Sequence, residues 1–321
     1  MSKVCRRIIL DLRTIKLTAV EIPTAERLLS IFDNHAMFRA PGGIEARATG
    51  TNQFVFRGQS DRSWPLLPSS LRWTEEELKQ VEKLDAQAAI QYVKDHLLEE
   101  LYSVKDFLLL ASSLGFHVPI TPEHLFDYVA PIEAAFLKGK VPDLPPLPPD
   151  VLDGMALAQH HGVKTRLMDW TESPYVACFF AAYSISSACE RRAAVLPDQM
   201  VVHCLNQARL GSYPRVRSFI PQRYGKDFLR AQRGMFLLFQ TVTDRFIEMR
   251  RWPSVEEIFA EDDPITYFNV WPLLVSFSIP TKEADALLRV LYNRGISRST
   301  LMPHLDNIAA DRRYVAALFG D

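Results

Sequence analysis

Two short stretches, far apart in the chain, hold the residue types that do chemistry. One is Phe54-Val55-Phe56-Arg57-Gly58-Gln59-Ser60, an apolar run that ends on a guanidinium, a glycine and an amide. The other runs from Gln159 to Pro174 and gathers His160, His161, Lys164, Arg166, Asp169, Trp170 and Thr171. A guanidinium presents a planar fork of N–H donors that suits phosphate or carboxylate. A carboxylate such as Asp169 can stabilise positive charge that develops on a substrate. A neutral His160 can donate to a ligand hydroxyl or a nearby carboxylate, and Trp170 can stack on a ring. Structural alternatives stand beside each of these. Arg57 can pair with Asp61 or Asp169, Asp169 can cap the next helix, and Gly58 can admit either a ligand or another backbone. A third polar cluster, Asp227 to Phe236, contains Gln232, which can hold a hydroxyl or simply end a strand. Metal binding needs ligands beyond His160-His161. The other adjacent His/Cys pair, His203-Cys204, sends its side chains to opposite faces if it lies on a strand.

These groups need elements to hold them. Gln53 to Arg57 is apolar and aromatic, which predicts a strand, and Thr165 to Trp170 predicts another. Ser173 is an N-cap with Pro174 at the first helical position, and the helix from Tyr175 to Ser187 is apolar on nearly every face, hence buried. Its N-terminus offers unpaired N–H groups and the positive end of a dipole to anything bound nearby. Further strands are expected over Leu10–Val20, Met200–Leu205, Val216–Ile220, Met235–Gln240 and Leu273–Ile279. Thr74 and Glu77 form a capping box that opens one long helical region, apolar at Leu78, Val81, Leu84, Ile90, Val93, Leu97, Leu101, Val104 and Leu108 and closed by Gly115. Shorter helices are expected over Thr24–His35, Thr121–Gly139, Met155–His161, Thr281–Tyr292 and Leu301–Phe319. Helices and strands are interspersed without βαβ regularity, so the class is α+β. The domains expected are an N-terminal arm over 1–50 and a main domain over 51–321. The latter includes a helical insertion at 74–140 and a stiff proline-rich connector at 141–150.

Composition narrows the function. With 37 basic and 38 acidic residues in 321, overall charge gives no reason to expect nucleic acid. One local stretch is basic: Arg209, Arg215, Arg217, Arg223, Lys226, Arg230 and Arg233, with Tyr213 and Tyr224 among them. It can seat a phosphodiester chain or be a solvated loop. The four cysteines lack CxxC spacing, so neither a zinc site nor a disulfide framework is expected. No apolar run is long enough for a signal peptide or a membrane span, and cytoplasmic residence is the expectation. Gly-rich phosphate loops, Gly-x-Ser-x-Gly elbows and His-Glu-x-x-His motifs do not occur.

Taken in order, several blocks resemble the FRG domain, a bacterial family with a Phe-Arg-Gly signature. They are Phe56-Arg57-Gly58-Gln59-Ser60, with Trp64-Pro65-Leu66 and Pro68-Ser69-Ser70-Leu71-Arg72 behind it; Ala158 to Gly162 and Thr165 to Thr171, then Ser173-Pro174; Arg230 to Phe236; and, more weakly, Gly295-Ile296 with Thr300 to Asp306. The element order is in turn similar to the ADP-ribosyltransferase plan, which implies a mixed or antiparallel β core with a helical insertion and flanking helices. That plan implies NAD as substrate, with Arg57, Asp169 and Gln232 in catalytic positions. Gly58, Gln59, His160, Arg166, Trp170 and Thr171 would contact NAD, and Lys164 could share the grip on its pyrophosphate. No metal is implied. One departure is plain: where the plan has a late-strand Glu, this chain has Gln232. The resemblance further implies a toxin or anti-phage effector that modifies protein or nucleic acid and is restrained by an antitoxin or regulatory partner. The alternative is a non-catalytic module that binds a nucleotide or a partner.

Overall fold

A computed structural model describes residues 17–34, 53–138, 147–186, 195–213, 215–222, 227–239, 242–261 and 273–320. The chain begins there with β1 (Leu17–Glu21), α1 (Ala25–Asn34) and β2 (Phe54–Gln59). A helical stretch follows: α2 (Glu75–Val81), α3 (Ala86–Ser113), α4 (Pro122–Leu137) and α5 (Pro149–His160). Next come β3 (Leu167–Thr171), α6 (Pro174–Tyr183), β4 (Gln199–Asn206) and β5 (Val216–Phe219). The remainder is α7 (Asp227–Ala231), β6 (Gly234–Phe239), α8 (Thr243–Met249), α9 (Val255–Glu261), β7 (Leu274–Pro280), α10 (Ala284–Asn293), α11 (Arg298–Leu301) and α12 (Leu305–Phe319).

Among the described residues the strands form one sheet in the order β1-β7-β4-β2-β3-β6-β5. β1 runs parallel to β7, and every other neighbouring pair is antiparallel. A mixed sheet with helices packed on it is the α+β arrangement the sequence predicts. Period-two alternation decides which residues meet which layer. From β2, Phe54 and Phe56 enter one apolar cluster with α1, α6 and α10, while Val55 enters a second cluster with α3, α4, α5, α8 and α9. In the first cluster Phe32 sits edge-on to both Phe56 and Phe277, each at 5.6 Å between centroids.

Local chemistry explains most element ends. The amide of Glu77 donates to Thr74 Oγ1 at 3.2 Å and the amide of Thr74 to the Glu77 carboxylate at 2.7 Å, completing the capping box. The single helical region expected beyond it is two helices. Asp85 caps the second, accepting from the Ala88 amide at 2.8 Å, and so restarts the helix after a turn. α5 begins at Pro149 rather than Met155, because the last connector proline serves as a first helical residue with fixed φ. The final helix is also divided. Pro303 cannot continue α11, and His304 caps α12 by accepting from the Asp306 amide. Of the strand expected over Leu10–Val20, residues 17–20 belong to β1 (Leu17–Glu21) and residues 10–16 lie outside the described residues. Most of the arm and residues 141–146 of the connector lie outside the described residues.

Candidate functional site

β2 and β3 share one registered pair, Phe56 with Thr171, and then part. Each stays fully paired on its other side, β2 with β4 and β3 with β6. The parting opens a cleft of about 530 Å³ in the middle of the sheet, a size suited to a small-molecule ligand. Arg57 projects from β2 into it, and its Nη1 donates to the Asp169 main-chain oxygen at 2.6 Å. A side chain thus takes the place of the ladder hydrogen bond that the divergence removes. Asp169 stands on β3 as the one exposed residue of that strand. Its Oδ1 accepts from Gln159 Nε2 at 3.0 Å, and the Gln159 oxygen accepts from the Thr165 hydroxyl, which fixes the amide's orientation. α5 and β3 therefore hold the carboxylate jointly.

A second guanidinium completes the charge pattern. Arg72 also lines the cleft, with its Nε tied to the Leu67 carbonyl at 3.0 Å. Burial lowers the pKa of Arg57 to about 10, with Asp169 opposing the shift and Arg72 adding to it. The Arg72 pKa is lowered too, first by burial, again against the pull of Asp169. Two cations thus face one carboxylate, and Asp169 is the only acidic side chain among the described residues lining the cleft. Arg57 Nε and Gln59 Oε1 are buried and have no hydrogen-bond partner, although Gln59 Nε2 donates to the Trp64 carbonyl at 3.3 Å. Buried polar atoms are normally paired, so each of these atoms leaves a hydrogen bond still to be made.

Six of the predicted residues line this cleft beside Arg57 and Asp169: Gly58, Gln59, His160, Trp170, Thr171 and Gln232; Gln159, the neighbour of His160, lines it as well. Several do so without free polar atoms. A Cβ on Gly58 would lie 1.9 Å from the Ala177 oxygen and 2.7 Å from the Ala181 nitrogen, so this glycine admits α6 rather than a ligand. The Thr171 hydroxyl donates to the Gln232 carbonyl at 2.6 Å and accepts from the Ser173 amide at 3.0 Å, so it joins β3 to the turn before β6. The Gln232 amide nitrogen donates to the Leu301 carbonyl at 3.1 Å. The ring of Trp170 is buried in the second apolar cluster, whereas the ring of Trp64 is 52% exposed at the cleft. His160 stacks on Phe228, and burial followed by His161 lowers its pKa to about 4, which keeps the imidazole neutral at pH 7.

Arg166 requires a correction. It is absent from the cleft lining, and its buried guanidinium is engaged by Glu100 of α3 through Nε at 2.9 Å and Nη2 at 2.5 Å. The Arg166 amide donates to the other Glu100 oxygen at 2.6 Å. This pair fastens α3 to the start of β3. Lys164 faces a neighbouring cavity, which shares Arg72 with the cleft and is walled by Ser70, Trp73, Val163 and side chains of α2 and α3. In the basic stretch, Arg215 is bound by Asp244 at 2.7 and 2.9 Å, Arg230 pairs with Asp227 at 3.0 Å, and Tyr213 is buried. Arg223, Tyr224 and Lys226 lie outside the described residues.

A family model described as the FRG domain matches residues 123–188. The match takes in α4, α5, β3 and α6, so the FRG resemblance of the Asp169 block is confirmed by that model. The Phe56-Arg57-Gly58 block lies before the matched residues, on the strand across the cleft. No curated protein matches the chain, and no solved structure matches it. Among the described residues, no helix is long and apolar enough to cross a membrane, and no group of three or more His, Cys, Asp or Glu is placed to hold a metal ion.

Proposed function

We propose that the cleft binds a dinucleotide and that the protein is an ADP-ribosyltransferase-like effector using NAD as substrate. One observation carries this reading: Arg57 and Asp169, 112 positions apart, converge on one cleft where the sheet divides. Arg57 and Arg72 supply the donors that a pyrophosphate needs. Gln59 presents an acceptor for a ribose hydroxyl, and Trp64 an exposed ring for stacking. The orphaned oxygen of Gln59 fits such a polar ligand better than an apolar one.

In this reading the bond between nicotinamide and ribose C1′ breaks, and nicotinamide leaves with the electron pair. The Asp169 carboxylate stabilises the cationic ribose electrostatically. A protein or nucleic-acid nucleophile then bonds to C1′ and gives up its proton to water. An effector of this kind would be restrained by a regulatory partner. A second reading keeps the ligand without the chemistry, because Asp169 is the cleft's only carboxylate among its described lining residues and Gln232 cannot act as a base.

Labelled NAD incubated with the protein and a crude lysate separates the two. Transfer of label that is lost in both Arg57→Ala and Asp169→Asn supports the enzyme. A rise in melting temperature with NAD but no transfer supports the binding module, and neither response removes NAD from the account.

A further inference from the structure

From Arg57 a row of polar side chains continues across the sheet into residues that the site described above does not use. In the ladder, Arg57 of β2 stands directly opposite His203 of β4, and His203 stands directly opposite Ser276 of β7. Directly opposed residues place their side chains on the same face with Cβ atoms about 5 Å apart. His203 is 5% exposed and its Nδ1 is 2.9 Å from Ser276 Oγ. Its Nε2 is buried without a partner, and so is Arg57 Nε on the adjoining strand.

The two orphaned atoms are complementary in one protonation state only. Arg57 Nε carries a hydrogen and can only donate. If His203 carried its proton on Nε2, two buried donors would stand side by side with no acceptor for either, each costing free energy. If the proton is on Nδ1, it is donated to Ser276 Oγ, and Nε2 turns a lone pair toward the guanidinium. Charging the ring is disfavoured on two grounds, burial first and the Arg57 cation second. We propose that His203 is the positioning residue for Arg57: a neutral imidazole, protonated at Nδ1 and steadied by Ser276, whose bare Nε2 is the acceptor that Arg57 Nε–H turns to as the guanidinium takes its plane in the cleft.

This assigns the donors of Arg57. Of the five N–H groups on a guanidinium, one goes to the Asp169 carbonyl, and the proposed contact would take a second to His203. The remaining three face the ligand, on the two terminal nitrogens, the edge that grips one phosphate in two places. Arg57 would then reach its ligand already oriented, at little cost in side-chain freedom. The functional consequence rests on the dinucleotide reading, but the tautomer does not.

The test is nitrogen NMR of the full chain with labelled histidine, because imidazole nitrogen shifts separate the two neutral tautomers from each other and from the cation. The expected result for His203 is a protonated Nδ1 and a bare Nε2 at pH 7. Arg57→Met, which removes the donor, should move the proton to Nε2 or mix the tautomers. A wild-type ring protonated at Nε2, or one unmoved by Arg57→Met, overturns the proposal whether or not NAD binds. In binding, His203→Leu should weaken NAD about tenfold, whereas His203→Gln, which keeps an acceptor, should stay within about threefold. Equal losses in the two variants, both folded by circular dichroism, would also overturn it. Should His203→Leu fail to fold, the tautomer comparison between wild type and Arg57→Met decides alone.

Discussion

Gly58 shows how a motif residue can be legible while its reason is not. The sequence marks a glycine beside a functional arginine, and both ligand approach and backbone approach explain it equally well. The coordinates decide, because the missing Cβ is filled by the Ala177 carbonyl of α6. Gly58→Ala should therefore destabilise the fold by roughly 1–3 kcal/mol or more, as overpacking does. A lowered melting temperature would be measured in the ligand-free protein, and an unchanged one would contradict the packing role. Histidines set a pH response at the same scale. Burial holds His203 near a pKa of about 3 and His160 near about 4, against 6.5 for both in the unfolded chain. The unfolded state binds these protons first, so stability falls as pH drops below about 6.5 and is indifferent to them above it. Denaturant unfolding at pH 7 and pH 5 should differ by about 2 kcal/mol from His203 alone, a difference that His203→Gln should remove.

Elements account for what could not be read ahead. Arg72 enters the sequence reading only as the last residue of a block in the FRG resemblance, since nothing in Pro68 to Arg72 states that the chain returns to the cleft. Arg166 misled for the opposite reason. Its place among His160, Lys164 and Asp169 suggests a ligand contact, yet its partner Glu100 is 66 positions away on α3 and invisible to local pattern. Caps fared better, because Thr74, Ser173 and Thr24 each bond an amide within three residues of themselves. The Arg166–Glu100 pair predicts a separation of roles. Glu100→Ala leaves a buried guanidinium uncompensated and should cost roughly 3–5 kcal/mol. Any Glu100→Ala protein that remains folded should keep its affinity for the cleft ligand. A matched loss of affinity would place Arg166 back in the site.

At the scale of the molecule, the cleft lies where helices from both faces of the sheet come together, α5 from one apolar cluster and α6 from the other. A ligand there touches residues of both clusters, so occupancy should stabilise the whole fold rather than one part. NAD at about a hundred times its dissociation constant should add about 2.7 kcal/mol to unfolding, seen as a single shifted transition. Two transitions, only one of them moved by NAD, would argue that the clusters unfold apart. The α+β class was legible from interspersed periods alone, whereas the split between β2 and β3 was not. A strand's sequence gives its faces but not how many residues its neighbour accompanies it.

The pairing of β1 with β7 has a consequence during synthesis. Leu17 finds its partner Leu274 only after about 260 further residues have been added, which at a ribosomal rate of roughly 5–20 residues per second takes about 13–50 s. Throughout that interval the edge of β1 that pairs with β7 has no mate, and β4, once made, waits for the same strand as one of its two neighbours. A nascent chain in this condition offers open strand edges to other chains, so holdase chaperones that shield such edges should raise the yield of native protein more than catalysts of later rearrangement.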